Sequence, residues 1–302
     1  MNDSVPPLAH VPVLHRTVLE LLAPRPGETV LDATVGLGGH AASLLEAVGP
    51  TGTLIALDAD ARHRALAERR LAQLPGTQRF LTANFRHIAS LELPPCQVIL
   101  ADLGLCSAHI DDPARGFTFR ADGPLDLRYG EGAQKSAAAF IADGDLSTLT
   151  RVLGFYGELP QAHRLAQQLI ADAPATTLAL RASVEKVYQW RTPRFLPQVF
   201  QALRIAVNDE LGALEDFLAS AARLLAPGGR LGVISYHSLE DRIVKHAFRD
   251  WSTPARDQIT GAPLDEAPFR LLTKKPVLPT PQEITENPRS RSAVFRAILR
   301  LR

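Results

Sequence analysis

Short apolar runs alternate with helix-compatible segments along the first hundred residues of the chain. The apolar runs cover residues 29–32, 53–58, 78–83 and 98–102, at the spacing of successive βα units. Two further runs, at 229–236 and 292–301, come much later, and a short edge strand is expected at 269–273. This pattern predicts an α/β fold with a mostly parallel, doubly wound sheet and right-handed crossovers.

The strand rhythm is interrupted between Asp102 and Gly229. One βα unit needs about 30 residues, and this gap is several times longer. Helical patterns fill it at 134–142, 147–155, 161–171, 183–189 and 200–225, with prolines at 160, 174, 193 and 197 expected to punctuate them. The last helix is expected to end at the turn 226–229. We therefore predict an inserted helical domain at residues 106–206, inside a ligand-binding domain formed by 1–105 and 207–302.

The turn after the first predicted strand is dense in glycine. Residues 34–40 read T-V-G-L-G-G-H, and Gly36, Gly38 and Gly39 permit positive φ angles and close backbone approach at the start of a helix. The second predicted strand ends at Asp58, where an open α/β sheet places the carboxylate that binds a ribose diol. Together these features predict a site for an adenosine-containing ligand; a ligand-free strand-to-helix turn is the alternative.

The glycine order discriminates between adenosine ligands. The order is G-x-G-G rather than the dinucleotide pattern G-x-G-x-x-G, and Asp32 lies just before the turn. A carboxylate there would repel a diphosphate but would attract a cationic or amine-bearing ligand. S-adenosyl-L-methionine fits this expectation, and a nicotinamide-dependent oxidoreductase is the disfavoured alternative.

Charge and composition narrow the possible partners. The 302 residues carry a formal net charge of only +1, whereas a protein that grips bare nucleic acid mainly through phosphates usually has a clear positive excess. No signal-peptide pattern or 18-residue apolar segment is present, so we expect a cytosolic protein with no membrane partner. Cys96 and Cys106 are the only cysteines, and without zinc-type spacing they predict no metal site and no disulfide framework.

Asp102 is the leading candidate for a catalytic residue. It ends the fourth predicted strand, and the carboxyl ends of such strands carry the ligand-contacting groups of open parallel sheets. A carboxylate there could accept a hydrogen bond from an exocyclic amine and orient its lone pair for methyl transfer. The alternative is that Asp102 only caps the turn that follows it.

The polar, Gly- and Pro-punctuated segment 107–128 is long for a connection in a compact fold. It predicts an ordered lid over the cofactor, with the rings of Phe117 and Phe119 available to stack on a base. The alternative is that both rings anchor the segment to the core.

Two other strand ends carry candidate groups. After the fifth predicted strand, Ser238 and Asp241 stand in a capping-box-like relation. His237 could contact a substrate base or act as a proton acceptor, and the alternative is that it satisfies local hydrogen bonds. After the third, Asn84 could supply an amide partner, and Phe85 either stacks on adenine or packs in the core.

Eight motifs resemble a known family across nearly the whole chain. The motifs are H-V-P-V-L at 10–14, T-V-G-L-G-G-H at 34–40, D-L-G-L-C-S at 102–107, I-D-D-P-A-R-G-F-T-F at 110–119, D-G-P-L-D-L-R at 122–128, F-Q-A-L-R-I-A-V-N-D-E-L at 200–211, S-Y-H-S-L-E-D-R at 235–242 and N-P-R-S-R-S-A at 287–293. They are similar to those of the RsmH (MraW) family, bacterial methyltransferases that act on the cytosine N4 amine of 16S rRNA. The motifs at 122–128 and 235–242 are highly specific.

The resemblance implies a class I, Rossmann-like methyltransferase with an inserted helical domain, acting on 16S rRNA in the small ribosomal subunit. It also implies the positions that contact S-adenosyl-L-methionine, which are Gly38, Gly39, His40, Asp58, Phe85, Asp102 and His109. A non-catalytic RNA-binding assembly factor that keeps the cofactor fold is the alternative from another functional class.

Three departures from the family pattern stand out. His109 occupies a position that is often glutamine, and Cys106 one that is commonly serine. Residues 191–199 read R-T-P-R-F-L-P-Q-V where the family usually shows an H-P-A-(T/R)-R-like run. The departure at 191–199 concerns the inserted region and its contacts with RNA rather than the cofactor site.

Overall fold

A computed structural model describes residues 12–130, 135–257, 260 and 264–302. The chain forms two units, which we name the sheet unit (residues up to Gly104 together with Ala213–Arg302) and the helical unit (Leu105–Gly212). Two predicted features lie partly outside the described residues. These are the start of the motif at 10–14 and the start of the helix at 134–142.

Seven strands form the sheet unit's single sheet, in the order β3-β2-β1-β4-β5-β7-β6. They are β1 Thr29–Asp32, β2 Thr53–Asp58, β3 Thr77–Thr82, β4 Cys96–Asp102, β5 Leu225–Ser235, β6 Phe269–Leu271 and β7 Val294–Arg300. The first five are mutually parallel, and β7 runs antiparallel to both β5 and β6. The predicted mostly parallel, doubly wound sheet is confirmed.

Both faces of the sheet are buried, which is why its strands are nearly continuous apolar runs. Successive side chains alternate between two apolar clusters, with Leu54 in one and Ile55 in the other. The helices of this unit are α1 His15–Leu22, α2 Gly39–Val48, α3 Ala61–Leu71, α11 Ser238–Trp251 and α12 Pro281–Glu286. Of the helices in the described part of the chain, none combines the length and apolar composition needed to cross a membrane.

The helical unit has a core of its own, built around residues such as Leu153, Leu165, Val184, Tyr188 and Leu203. Its helices are α4 Ser107–Asp111, α5 Ala137–Ala142, α6 Leu146–Phe155, α7 Ala162–Asp172, α8 Thr177–Tyr188 and α9 Thr192–Asn208. The helix α10, Glu210–Leu224, begins in this unit and continues into the sheet unit along the chain.

The single helix predicted at 200–225 is wrong. Asp209 adopts a left-handed conformation (φ 46°) and separates α9 from α10. The strand β5 then starts at Leu225, so that residues 226–229 belong to a strand rather than to a helix cap. A register shift accommodates them, because Cys96 pairs with Leu225 whereas Val98 pairs with Arg230.

Two boundaries in the helical unit also differ from prediction. The helix α8 begins at Thr177, ahead of the predicted 183, because the Thr176 side chain accepts a hydrogen bond from the Ala179 amide (3.2 Å). Pro193 and Pro197 lie inside α9 rather than between helices. Pro193 is tolerated because it occupies the first turn, where amides lack helical partners.

Candidate active site

The glycine turn between β1 and α2 requires its glycines. Gly36 and Gly38 have positive φ angles of 50° and 82°, in the region that glycine favours. A Cβ atom added to Gly39 would lie 2.8 Å from the Cγ atom of Pro12. The turn therefore brings bare backbone to the carboxyl end of β1, as the sequence predicts.

Asp58 fastens this turn to the end of β2. One carboxylate oxygen accepts a hydrogen bond from the Gly36 amide (2.8 Å), and the other accepts one from the Asp60 amide (2.8 Å). Burial raises the pKa of Asp58. The carboxylate is thus oriented by two backbone amides beside the glycine turn.

Three carboxylates stand at the ends of three neighbouring strands: Asp32 on β1, Asp58 on β2 and Asp102 on β4. Asp32 is only 1% exposed, and burial raises its pKa to about 7, with further contributions from the charges of Asp102 and Asp58. Burial likewise raises the pKa of Asp102 to about 7, and the charge of Glu240 adds to this effect.

No lysine or arginine among the described residues forms an ion pair with any of these three carboxylates. The Nε2 atom of His40 lies 3.8 Å from a carboxylate oxygen of Asp102. Burial, followed by the proximity of His15, lowers the pKa of His40 to about 3, so this imidazole is neutral. This edge of the sheet therefore has an excess of negative charge that a cationic ligand would neutralise.

Tyr236 holds the carboxylate of Asp102. The Tyr236 hydroxyl donates a hydrogen bond to Oδ1 of Asp102 (2.9 Å), and the Asp102 amide donates one to the Thr34 hydroxyl (2.7 Å). Burial, followed by the charge of Asp102, raises the pKa of Tyr236. The sequence analysis did not predict Tyr236 as a site residue. Its position could have indicated a contact with Asp102, because Tyr236 directly follows β5, and β5 lies beside β4 in the sheet.

His40 has an unpartnered buried atom at this edge. It lies in the first turn of α2 and is buried, and its Nε2 atom has no hydrogen-bond partner among the described residues. Buried polar atoms without partners are uncommon in folded proteins. Together with Asp102, His40 presents a donor or acceptor to a ligand.

The capping box at the start of α11 differs by one position from the prediction. His237 is the N-cap, its Nδ1 atom accepting from the Glu240 amide (3.4 Å), while Glu240 accepts from the amides of Tyr236 (2.8 Å) and His237 (3.3 Å). The predicted pair of Ser238 and Asp241 is wrong, since Asp241 binds Arg296 instead (2.7 and 3.0 Å). Local hydrogen bonding thus satisfies the Nδ1 atom of His237, whereas its buried Nε2 atom has no hydrogen-bond partner among the described residues, and contact with a substrate base stays a prediction.

Asn84 and Phe85 follow β3. The Asn84 side chain caps a short 3₁₀ helix, Phe85–Ser90, by accepting from the Arg86 amide (3.0 Å). The Phe85 ring packs edge-on against Phe217, with ring centroids 5.3 Å apart, and it borders the apolar core. The core alternative therefore describes Phe85, and contact with adenine stays a prediction.

His109, the remaining predicted cofactor residue, belongs to the helical unit. It is buried on α4, with its ring 5.1 Å from the ring of Phe117 and 5.4 Å from that of Tyr129. Phe117 is buried in the core of that unit, and Phe119 packs edge-on against Phe200 at 5.4 Å. Both phenylalanine rings thus anchor the segment 107–128, rather than being left free to stack on a base.

Comparison of the amino-acid sequence with known proteins shows the family of this chain. The MraW methylase family matches residues 7–301. A "Ribosomal RNA small subunit methyltransferase H" from Thermomicrobium roseum is 45% identical over 310 residues, covering 97% of this chain and 94% of that protein. A protein of the same name from Cyanothece sp. is 43% identical over 305 residues, covering 99% of this chain and 97% of that protein. The chain belongs to the MraW methylase family.

Proposed function

We propose that this chain transfers a methyl group from S-adenosyl-L-methionine to the exocyclic N4 amine of a cytidine in 16S rRNA. As a member of the MraW methylase family, it is an S-adenosylmethionine-dependent methyltransferase of small-subunit rRNA. The N4 amine and the roles of individual residues are the finer part of the proposal. The motifs shared with the RsmH family and the carboxylate of Asp102 support them.

The observation that carries the proposal is the set of three carboxylates at the strand ends beside the glycine turn, one buried (Asp32) and two partly buried (Asp58 and Asp102), with no lysine or arginine paired to them among the described residues. S-adenosylmethionine carries positive charge on its sulfonium and on its amino group, so it fits such a site. A dinucleotide would instead bring a diphosphate against these carboxylates.

The residues proposed to hold S-adenosylmethionine come from several elements. They are the positions that the resemblance to the RsmH family implies, namely Gly38, Gly39, His40, Asp58, Phe85, Asp102 and His109. Asp58 is the candidate for the ribose hydroxyls, and bare backbone at Gly38 and Gly39 permits close approach. When bound, the cofactor supplies an electrophilic methyl group on sulfur.

Asp102 is proposed to act on the amine. The lone pair of a cytosine N4 amine is delocalised into the ring, so the amine is a weak nucleophile. A hydrogen bond from the amine to the Asp102 carboxylate would orient the nitrogen for attack, and positioning of this kind supplies much of the acceleration. As the N–C bond forms and the S–C bond breaks, the nitrogen must lose a proton.

The protonation properties of Asp102 suit that proton transfer. Its pKa of about 7 is close to that expected of an efficient general base at neutral pH. Because Tyr236 binds Oδ1, the second carboxylate oxygen is left to face the amine. We infer that Asp102 takes the proton and that Tyr236 keeps its carboxylate in place.

We propose that the inserted region, which the sequence predicts at residues 106–206, recognises the RNA substrate. A net charge of +1 makes phosphate contacts alone insufficient for tight binding of free RNA at physiological salt. A base awaiting N4 chemistry must also be unpaired, which costs a few kcal/mol unless the RNA already presents it. We therefore expect efficient methylation of assembled small subunits and little of deproteinised rRNA; equal rates at matched RNA concentration would contradict this part of the proposal.

The test of the chemistry is methyl transfer from isotopically labelled cofactor to small subunits that lack the modification. Nuclease digestion and mass spectrometry should find N4-methylcytidine, and Asp102→Asn should form it about 10²- to 10⁴-fold more slowly even at saturating cofactor. A label at carbon 5 or on a ribose hydroxyl would overturn the N4 assignment. Cofactor binding without any methyl transfer would instead favour the non-catalytic assembly factor.

A further inference from the structure

Trp190 is prominently exposed in the helical unit. It exposes 84% of its surface, the largest value among the large hydrophobic residues in the described part of the chain. It lies in the 3₁₀ turn Gln189–Arg191, between α8 and α9. At this exposure nearly the whole indole is accessible to a ligand, with a large flat ring available for stacking.

The backbone around Trp190 is held rigidly. Tyr188 on one side is buried, with its ring 4.5 Å from that of Phe195 and its hydroxyl donating to the carbonyl oxygen of Pro160. Thr192 on the other side is also buried, and its hydroxyl donates to the carbonyl oxygen of Gln189 (2.7 Å). Two buried neighbours thus fix the turn that carries the indole into solvent.

Gln189 adds backbone strain at the same place. Its φ of 51° and ψ of −127° lie outside the regions that residues with a Cβ atom ordinarily occupy. Such strain persists only where the surrounding structure enforces it, and it tends to occur at functional sites. The outward position of Trp190 is therefore a feature of the folded unit rather than of a loose loop.

Two exposed arginines accompany the indole. The Arg191 guanidinium lies 5.9 Å from the Trp190 ring centroid, and that of Arg194, on α9, lies 5.4 Å from the ring centroid of Phe195. Within the residues that the structure describes, neither arginine has a carboxylate at ion-pair distance. By contrast, the neighbouring helix α8 pairs its cations, Arg181 with Glu185 at 2.9 Å and Lys186 with Asp172 at 2.7 Å.

This combination matches the chemistry of single-stranded nucleic acid. Proteins bind such strands with exposed aromatic rings that stack on bases and with cations that meet the adjoining phosphates. We propose that Trp190, Arg191 and Arg194, which we name the Trp190 corner, bind an unpaired segment of small-subunit rRNA, with the indole stacked on a base. This inference rests on the proposed function, since it names the surface by which the same substrate is held.

A protein partner is less well supported by the same surface. The exposed residues next to Trp190 in sequence are Gln189, Arg191, Pro193 and Arg194, of which two are cationic and none is a large apolar residue. Protein interfaces bury an apolar core with its charges at the rim. The lone ring flanked by cations fits a base and its phosphates better.

Steady-state kinetics with small subunits tests the stacking part. Trp190→Ala should raise KM for the subunit about 5- to 150-fold, the range for one lost base stack, with kcat and the affinity for S-adenosylhomocysteine unchanged. Trp190→Phe should raise KM less than Trp190→Ala does, because phenylalanine keeps an aromatic ring that can stack on a base. The matched control is Phe155→Ala, another exposed aromatic residue of this unit (59% exposed), whose ring packs against Tyr156.

Salt dependence tests the charge part. The double variant Arg191→Gln/Arg194→Gln should lower the slope of log Kd for the small subunit against log salt by about 1.4, as expected for two phosphate contacts on a single strand. Trp190→Ala should weaken binding at every salt concentration and leave that slope unchanged. Melting temperatures equal to that of the wild type would show that the variants fold.

Crosslinking identifies the molecule that binds the Trp190 corner. A photoreactive benzoylphenylalanine in place of Trp190 should crosslink to a nuclease-sensitive product in small subunits. A crosslink to a ribosomal protein, an unchanged KM for Trp190→Ala, or an equal effect of Phe155→Ala would each overturn the proposal. Failure of the proposed function would be distinct, since the wild-type protein itself would then form no N4-methylcytidine.

Discussion

The carboxyl edge of the sheet and the Trp190 corner carry opposite charges in opposite settings. At the sheet edge, Asp32 is buried and Asp102 is partly buried, and their raised pKa values record the cost of ionising them there. At the corner, Arg191 and Arg194 are exposed cations. The carboxylates at the sheet edge can therefore bind one small cation strongly. The arginines at the corner can add only modest, salt-sensitive binding to a large anion.

The largest expected effect is on turnover at the sheet edge. Asp102→Asn keeps the shape and an acceptor for the Tyr236 hydroxyl but removes the group proposed to take the N4 proton. We expect kcat to fall about 10²- to 10⁴-fold, the usual contribution of a general base, with little change in the melting temperature. The measurement is single-turnover methyl transfer at saturating small subunit.

A near-normal rate for Asp102→Asn would contradict the catalytic role given to the sheet edge, because the carboxylate of Asp102 would then have only a structural role. The control is Asp216→Asn, an exposed carboxylate that pairs with Arg86 at 2.9 Å in the same unit. That variant should turn over at the wild-type rate.

The next effect is on cofactor affinity. Asp58→Ala removes a carboxylate proposed to bind the ribose hydroxyls, and it also releases the Gly36 amide. We expect S-adenosylmethionine binding to weaken by about 2 to 4 kcal/mol, from lost charged hydrogen bonds and a loosened glycine turn. Calorimetry measures this directly, and an unchanged Kd would refute the assignment of the ribose site.

The two regions also differ in how far the sequence could predict them. Asp32, Asp58 and Asp102 end apolar runs at βα spacing, and Gly38 and Gly39 mark a turn that few other residues could form. Such positions are predictable because the sheet edge is built from periodic elements. Their pKa shifts were not predictable, since they depend on burial by segments distant in sequence.

The helical unit lacks comparable signals. Asn208 and Asp209 tolerate a left-handed backbone and Gly212 follows them, but the apolar pattern of a helix continues across this segment, so the break between α9 and α10 was not predicted. Trp190 likewise lies in a stretch that would suit a buried helix face as well as an exposed corner. Only the packing of Tyr188 and Thr192 determines that the indole points outward.

A smaller effect concerns the pH profile of the reaction. The Tyr236 hydroxyl donates to Asp102 and thereby opposes the rise in the pKa of that carboxyl. Tyr236→Phe should therefore move the acidic limb of kcat to higher pH, so that turnover falls several-fold near pH 6 and is close to normal near pH 8.5. A uniform loss at all pH values would indicate that Tyr236 does not tune the pKa of Asp102.

The smallest expected effect is on the stability of the ligand-free protein. The pKa of Asp32 is raised to about 7 by burial and by its acidic neighbours, whereas an unfolded aspartate titrates near 4. Between these values the folded chain holds a proton that the unfolded chain has released. Stability contributed by this group therefore falls as pH rises from about 4 to about 7, and it stays low above that.

Asp32→Asn removes this penalty while retaining an acceptor for the Thr34 amide, which lies 3.1 Å from the carboxylate. We expect the variant to melt a few degrees above the wild type at pH 8 and at nearly the same temperature at pH 4.5, by scanning calorimetry without ligand. Exposed Asp250→Asn should shift neither value. Saturating S-adenosylmethionine should reduce the difference at pH 8, because its positive charge would stabilise the ionised carboxylate of the wild type. If the difference in melting temperature between Asp32→Asn and the wild type depended on neither pH nor ligand, the charge of Asp32 would already be neutralised in the folded protein. Asp32 would then not contribute to the negative charge that distinguishes the sheet edge from the Trp190 corner.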